Sequence, residues 1–232
     1  YIEMNYPENL KHLSSCKSPH EMFGAVIKTY YAAKQKINPE KLFVVSVMPC
    51  IAKKFERQRE ELKDNGLYDV DCVITTRELA RMIKQANIEF VELEEEKFDN
   101  PMGEATGAGA IFGVTGGVME AALRTVSEIL TGKTLEKIEF EEVRGKTGIK
   151  RATIPIGDKQ VKVAVAHGLG NAKTIMEEIK SGKADYQFVE IMACPGGCIM
   201  GGGQPIKSAK IRETVDVRAK RAAAMYLSLI HI

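Results

Sequence analysis

The chain has 232 residues, of which 44% are hydrophobic and 28% charged, and its formal net charge is +2. This length allows one large domain or two small ones with an ample core, and the composition is ordinary for a globular protein. Because charges of both signs are interspersed and no run reaches the roughly 18 apolar residues of a membrane span, neither nucleic acid nor a membrane is indicated as a partner.

The five cysteines are an odd number, which argues against a secreted disulfide framework and favours a reducing cytoplasm. Both ends of the sequence look cut. Tyr1 opens without a start methionine, and Leu227–Ile232 fits no amphipathic continuation. The sequence is therefore compatible with an export signal upstream of Tyr1. Residues 227–232 are interpreted as an atypical tail.

The first predicted elements lead to a cysteine at a strand end. Ser18-Pro19-His20-Glu21 has the form of a capping box and predicts a helix from Pro19 to about Lys34. The apolar run Leu42–Val47 predicts a strand covered on both faces, and it ends in Met48-Pro49-Cys50. A charged helix is predicted over Ile51–Leu62. Cys50 is therefore expected between a buried strand and a helix start.

The same order of elements recurs downstream. Val70–Thr75 predicts a short strand, and Thr75 with Glu78 forms a second capping box that opens a helix to about Gln85. The acidic stretch Glu89–Asp99 is interpreted as a solvated surface connection.

A glycine-rich tract, Gly103–Gly117, precedes a helix predicted over Val118 to about Leu130. Within it, Gly107–Gly113 nearly fits a dinucleotide fingerprint, but a charged segment and Pro101 precede it instead of a buried strand. The match alone is weak. A phosphate loop is excluded, because no glycine-lysine-serine or glycine-lysine-threonine ending is present.

The remaining elements alternate between strand and helix. A helix is predicted over Gly168–Lys180, and strands are predicted at Ile138–Val143, Ala152–Ile156, Val161–His167 and Tyr186–Ile191. This alternation predicts an α/β fold with a largely parallel sheet, in which ligands bind beyond the carboxyl ends of the strands.

The stretch Ile191–Pro205 carries Cys194 and Cys198, which are separated by Pro195, Gly196 and Gly197. Glycine lets the backbone approach a bulky group closely, and thiolates are the usual protein ligands of iron–sulfur clusters. A structural zinc site is the alternative, but it needs four ligands, and the histidines lack regular spacing to the cysteines.

Cys50 shares the strand-end setting of Cys194 and Cys198. Cys16 and Cys72 lack it and are interpreted as small core residues. Three ligands are therefore credible, whereas a four-iron cluster usually needs four. The residues themselves indicate that one ligand is missing.

Two of these stretches carry a resemblance to a known family. Met48–Glu56 resembles the second cluster motif of the iron-only ([FeFe]) hydrogenases, and Ile191–Pro205 resembles the third. Gly107–Arg124 is similar to a family segment that covers the active site. The family's first motif, threonine-serine-cysteine-cysteine-proline, is absent. The resemblance implies one H-cluster catalytic domain over residues 1–226, truncated at its N-terminus, with two interleaved lobes of mostly parallel sheet flanked by helices around the cluster.

The resemblance also implies a cofactor, the H-cluster. In it a [4Fe–4S] unit shares a thiolate with a two-iron unit that carries CO, CN and a bridging dithiolate. By position, Cys50 and Cys194 would ligate the [4Fe–4S] unit and Cys198 would bridge to the two irons. Lys53 would donate a hydrogen bond to a cyanide, and an ion pair with Glu56 is its alternative role.

The other implied site residues line or serve the same pocket. Ser14 matches a serine of the family's proton relay, and His20 stands where relatives often carry glutamine. The resemblance implies that Pro19, Met48, Phe112 and Met192 line the pocket with apolar groups. It also implies that Gly196 and Gly197 let the backbone approach the cluster closely.

The activity implied is that of a ferredoxin hydrogenase, which interconverts H2 with two protons and two electrons. Ferredoxin or another iron–sulfur carrier would be its electron partner, and hydrogenase maturation proteins would assemble the cluster. This chain alone is expected to be inactive for want of the fourth thiolate. A cluster-assembly homologue without the two-iron unit and a sensory hydrogenase are the alternatives. The presence of Met48, Lys53 and Met192 favours the hydrogenase over the assembly homologue.

Overall fold

A computed structural model describes residues 1–103, 107–133, 141–142 and 148–227. The chain divides into two compact units. Unit 1 comprises Tyr1–Glu104 and Gly202–Ile206, and unit 2 comprises Ala105–Gly201 and Lys207–Ile232. Cys50 therefore lies in unit 1, whereas Cys194 and Cys198 lie in unit 2.

Unit 1 contains a small parallel sheet with helices. Its strands are β1 (Val45–Met48) and β2 (Cys72–Thr75), which form a two-stranded sheet. Its helices are α1 (Ile2–Asn5), α2 (Pro19–Val26), α3 (Ala32–Gln35), α4 (Lys53–Glu56) and α5 (Thr76–Gln85). A π-type turn over Ile27–Tyr31 joins α2 to α3, so the long helix predicted from Pro19 is confirmed.

Only one of the two predicted capping boxes forms. The Thr75 side chain accepts the Glu78 N–H, and the Glu78 carboxylate accepts the Thr75 N–H, which confirms the second box. The first box is wrong, because Ser18 caps no backbone N–H and its Oγ donates to Glu56 Oε2 at 2.9 Å. Ser18 therefore binds the carboxylate of Glu56, which is distant in the sequence, instead of the nearby backbone N–H of Glu21.

Two further predictions for unit 1 are wrong. In β1, Val45 is 48% and Val47 41% exposed, so this strand is not covered on both faces. The helix predicted over Ile51–Leu62 shrinks to α4 and a 3₁₀ turn at Glu60–Leu62. At the end of this segment the Leu62 carbonyl accepts a hydrogen bond from the Lys17 ammonium at 2.8 Å, a long-range contact that local patterns do not predict.

Unit 2 contains a four-stranded sheet in the order β3-β4-β5-β6. The strands are β3 (Glu141–Glu142), β4 (Ile149–Ile156), β5 (Lys159–His167) and β6 (Phe188–Met192). The helices are α6 (Ala108–Ile111), α7 (Gly117–Thr131), α8 (Leu169–Lys180), α9 (Ala209–Thr214) and α10 (Val217–Leu227). Apart from β3, the strand predicted over Ile138–Val143 lies outside the described residues. The α/β class and the order of the described elements are confirmed.

The pairing in unit 2 is mixed. β3 pairs antiparallel with β4, β4 pairs antiparallel with β5, and β5 pairs parallel with β6. Alternate residues of β5 face two cores. Val163 and Val165 pack in the cluster with Met119 of α7, and Ala164 and Ala166 pack in the cluster that contains Ile175 of α8. Helices on both faces therefore hold the sheet whose β6 leads into the cysteine loop.

The acidic connection and the helices were also compared with the predictions made from the sequence. Every residue of the acidic stretch Glu89–Asp99 is exposed, which confirms its interpretation as a solvated connection. Among the helices of the described ranges, none combines the length and apolar character that a bilayer crossing requires.

Candidate metal centre

In unit 2 the cysteines lie in a tight loop directly after β6. The strand ends at Met192, the Gly197 N–H donates to the Cys194 carbonyl at 3.0 Å, and a 3₁₀ turn begins at Cys198. Gly196 and Gly197 have φ values of 88° and 96°, a region that side chains rarely enter. The two glycines therefore let the chain reverse between the two thiols.

The cysteine loop packs on the glycine-rich tract. The Thr115 N–H donates to the Gly196 carbonyl at 3.3 Å, and the Ile199 N–H donates to the Gly113 carbonyl at 3.0 Å. A Cβ on Gly197 would lie 2.6 Å from Gly113 O and 2.7 Å from Thr115 N. The close approach that Gly197 allows in this structure is therefore to the tract, and its predicted approach to a cofactor stays a prediction.

The tract itself requires glycine at the start of α7. A Cβ on Gly117 would lie 1.9 Å from the Ile111 carbonyl oxygen, so no side chain fits there. Phe112 is half-buried in the turn between α6 and α7 and immediately precedes Gly113. The tract therefore forms helix, turn and helix beside the cysteine loop, which differs from the strand-to-helix turn of a dinucleotide site.

Glu190 joins this arrangement, although no motif in the sequence predicts a role for it. Its carboxylate, 7% exposed, accepts the Gly116 N–H at 2.6 Å and the Met119 N–H at 2.8 Å. It thereby caps α7, whose own cap residue, Gly116, has no side chain to do so. Burial raises the pKa of Glu190, and the two backbone N–H donors oppose that shift. The only sign of this role in the sequence is that Glu190 is a single charged residue among the apolar residues of β6.

We expect Glu190→Ala to destabilise unit 2 by about 3 kcal/mol, because it leaves two buried N–H groups unpaired and a cavity. Glu190→Gln keeps the shape and one acceptor and should cost about 1 kcal/mol. Because its folded pKa is raised, wild-type stability should fall relative to Glu190→Gln as the pH rises through that pKa. Urea unfolding at several pH values measures both effects. Exposed Glu213→Ala is the control, and an equal loss in it would contradict the prediction.

Positive side chains lie near the cysteine loop. A Cβ on Gly196 would lie 2.5 Å from Arg218 Cδ, so the Arg218 side chain of α10 packs over the turn. His167, which is opposite Met192 in the β5–β6 pair, has its pKa lowered by burial and by the charges of Arg218 and Lys150. Arg218 and Lys150 therefore place positive charge beside His167.

In unit 1, Cys50 follows β1 in a loop that other backbone groups hold. The Pro49 carbonyl accepts the Gly203 N–H at 2.9 Å, and a Cβ on Gly203 would lie 2.9 Å from Thr75 Cβ. Arg77 donates to the Gly202 carbonyl at 2.7 Å. The glycines that follow Cys198 in the sequence are therefore part of the packing around the Cys50 loop.

Lys53 forms an ion pair with Glu56, which is its alternative role predicted from the sequence. Lys53 Nζ lies 2.6 Å from Glu56 Oε2, which also accepts from His20 Nε2 at 2.9 Å and Ser18 Oγ at 2.9 Å. Burial alone would raise the pKa of Glu56, but the hydrogen bonds from His20, Lys53 and Ser18 outweigh it and lower the pKa to about 2. The cyanide role of Lys53 stays a prediction.

The other predicted residues of unit 1 are placed as follows. Pro19 and Met48 line one groove, together with His20 and Ser46. Ser14 is exposed, and its Oγ accepts the Cys16 N–H at 3.2 Å.

The five cysteines all lie in the described ranges, and no disulfide joins any of them. Cys16 is exposed, so its interpretation as a core residue is wrong, and Cys72 is half-buried in β2. Cys50, Cys194 and Cys198 are each partly buried. Their partial exposure leaves each of the three thiols accessible.

Comparison with known proteins identifies the family. A family model described as the iron-only hydrogenase large subunit, C-terminal domain, matches residues 1–202. The chain belongs to this iron-only hydrogenase family. It is 54% identical over 224 residues to the periplasmic [Fe] hydrogenase large subunit of Nitratidesulfovibrio vulgaris, covering 97% of the chain and 53% of that protein. The chain thus spans about half the length of this relative.

Two further proteins are similar to this chain. An apo [FeFe]-hydrogenase variant from Chlamydomonas reinhardtii has a similar solved structure, with a TM-score of 0.82 and 41% identity over 97% of this chain and 62% of that chain. The protein NAR1 of Arabidopsis thaliana is 37% identical over 84% of this chain and 44% of that protein. The hydrogenase fold is therefore shown, and the resemblance stated from the motifs is confirmed.

Proposed function

We propose that residues 1–226 form the H-cluster domain of an [FeFe] hydrogenase, which interconverts H2 with two protons and two electrons. The observation that supports this most is the loop with Cys194 and Cys198, which reverses through two left-handed glycines and packs on the glycine-rich tract. A structural cysteine needs neither feature, whereas a bulky cofactor needs close backbone approach.

The residues present fit the proposed group. Cys50, Cys194 and Cys198 supply soft thiolates, the donors that iron–sulfur clusters take. The Thr115 hydroxyl oxygen, buried beside the cysteine loop, has no hydrogen-bond partner among the described residues. We assign Cys50 and Cys194 to a [4Fe–4S] unit and Cys198 to the bridge toward a two-iron unit that carries CO, CN and a dithiolate.

Other residues of the chain surround and serve that group. Met48, Met192, Pro19 and Phe112 would supply apolar contacts to the bound cofactor, and the turn at Gly196 and Gly197 would let the backbone approach it. When bound, the cofactor supplies the redox chemistry. Lys53 would donate a charge-assisted hydrogen bond to a cyanide of that group, and Ser14 would pass a proton between flanking groups.

The proposal includes partners and a location. Ferredoxin or another iron–sulfur carrier exchanges electrons with the domain, and hydrogenase maturation proteins assemble the two-iron unit. We place the protein in the cytoplasm on its cysteine usage. Cell fractionation tests this placement, since one relative is named as periplasmic.

The test compares two neighbouring lysines in the full-length protein after anaerobic maturation. H2 should evolve from reduced ferredoxin, and Lys53→Ala should lower that rate about 10- to 100-fold, as removal of groups that support a metal site does. Lys54→Ala is the control, because Lys54 pairs instead with Glu78 at 2.6 Å. A matured protein with a complete [4Fe–4S] unit and no H2 evolution would support a cluster-assembly role instead.

A further inference from the structure

A cluster of charged side chains in unit 1 surrounds His20, and the proposed chemistry uses only its Lys53. His20 is 9% and Glu21 1% exposed. His20 Nε2 lies 2.9 Å from Glu56 Oε2 and 3.3 Å from Glu21 Oε1, and His20 Nδ1 lies 3.1 Å from Ser46 Oγ. We call these residues with Lys53 the His20 cluster.

One oxygen of the His20 cluster serves three donors. Glu56 Oε2 accepts from the Lys53 ammonium, the Ser18 hydroxyl and His20 Nε2. A carboxylate oxygen has two lone pairs, so a stronger hydrogen bond from one donor weakens the others. The His20 ring and the Lys53 ammonium therefore compete for the same acceptor.

Both nitrogens of the His20 ring keep a hydrogen-bond partner whether the ring is neutral or protonated. A neutral ring with a proton on Nε2 donates to Glu56 and accepts the Ser46 hydroxyl at Nδ1. A protonated ring donates from both nitrogens, and Ser46 Oγ then accepts, because a hydroxyl can reverse its role. Since histidine ordinarily changes charge between about pH 5 and 8, protonation strengthens the donor to Glu56 without any repacking.

The charged groups near His20 come from three elements. Glu21 neighbours it on α2, Lys53 and Glu56 face it from α4, and Asp69, from the segment before β2, acts on Glu21. Glu21 Oε1 accepts no hydrogen bond among the described residues, and its nearest cation would be the His20 ring. Burial raises the pKa of Glu21, and the charge of His20 opposes that shift. The Glu21 carboxylate is therefore a second acidic group beside the His20 ring.

We propose that His20 is a positioning residue that acts through Glu56: its protonation weakens the hold of Glu56 on Lys53 and frees the ammonium to donate to the two-iron unit. The inference rests on the proposed cyanide role of Lys53. It adds that the strength of this hydrogen bond depends on pH and is set by residues 20 and 21.

Two readouts test the proposal independently. In the matured full-length protein, the infrared cyanide bands should shift with pH in one step in the wild type and stay constant in His20→Gln, which retains an amide donor without a titrating ring. In the same protein without the two-iron unit, the ¹⁵Nζ resonance of Lys53 should titrate in the wild type and not in His20→Gln. Glu21→Gln should move the midpoint of both titrations to lower pH, because it removes an opposite charge.

His12→Gln is the matched control, because His12 is an exposed histidine elsewhere in unit 1, and it should leave both titrations as in the wild type. Equal titration in His20→Gln and the wild type, by either readout, would overturn the proposal. Stoichiometric Zn²⁺ binding that is lost in His20→Gln would also overturn it, because His20, Glu21 and Glu56 would then be metal ligands. If Lys53 titrates as expected in a protein that shows no cyanide bands, the positioning role stands and the proposed function fails.

Discussion

Gly197→Ala is expected to destabilise unit 2 by about 2 to 5 kcal/mol, the sum of a non-glycine residue forced to positive φ and an overpacked contact. The φ of Gly197 is 96°, and the added Cβ would lie 2.6 Å from the Gly113 carbonyl oxygen and 2.7 Å from the Thr115 nitrogen. Both neighbours are backbone atoms, which cannot rotate away as a side chain could. The turn must therefore open, and Cys198 moves with it.

Urea unfolding measures the loss in Gly197→Ala, and the iron bound after anaerobic reconstitution measures the displacement of Cys198. Gly170→Ala is the control, because Gly170 lies in α8 with no atom within 4 Å of an added Cβ. It should be neutral or stabilising by up to about 1 kcal/mol, since alanine is the better helix former. Similar stabilities for the two variants would contradict the structural reason given for Gly197.

Cys198→Ser is expected to abolish the two-iron unit and to lower H2 evolution at least about 10³-fold, equivalent to about 4 kcal/mol or more in the activation barrier. Under the proposal, Cys198 is the only thiolate that links the two parts of the cofactor. The loss should therefore appear in the carbonyl and cyanide bands as well as in the rate.

Cys72→Ser removes a thiol of the same kind from a half-buried position in β2 and serves as the control. It should retain the wild-type iron content, infrared bands and rate. If Cys198→Ser kept its carbonyl and cyanide bands, the bridging role would be wrong even though the family assignment would stand.

The sequence allowed the parts of the fold that depend on local patterns to be predicted. The strand before Cys194, helix α7 and the capping box of α5 were all identified from apolar runs and capping residues. The hairpin between β4 and β5 was missed, although its turn is the two-residue Gly157-Asp158 with Gly157 at φ 58°. That turn pattern is a hairpin signal that could have been used.

The parts that could not be predicted depend on long-range partners. Ser18 was assigned to Glu21 as a local cap, but it donates to Glu56, which lies 38 positions away. Glu190 caps α7 from 74 positions beyond Gly116. No local pattern specifies such pairs, because the fold decides which carboxylate reaches which donor. The tight loop between Cys194 and Cys198 was predictable because its motif includes the glycines that the loop geometry needs.

The most direct test is the infrared spectrum of the full-length protein, purified anaerobically after maturation. We expect cyanide and carbonyl bands from one two-iron unit, present in the wild type and in Cys72→Ser and absent in Cys198→Ser. A matured wild-type protein that holds a complete [4Fe–4S] unit but shows no such bands would contradict the central claim.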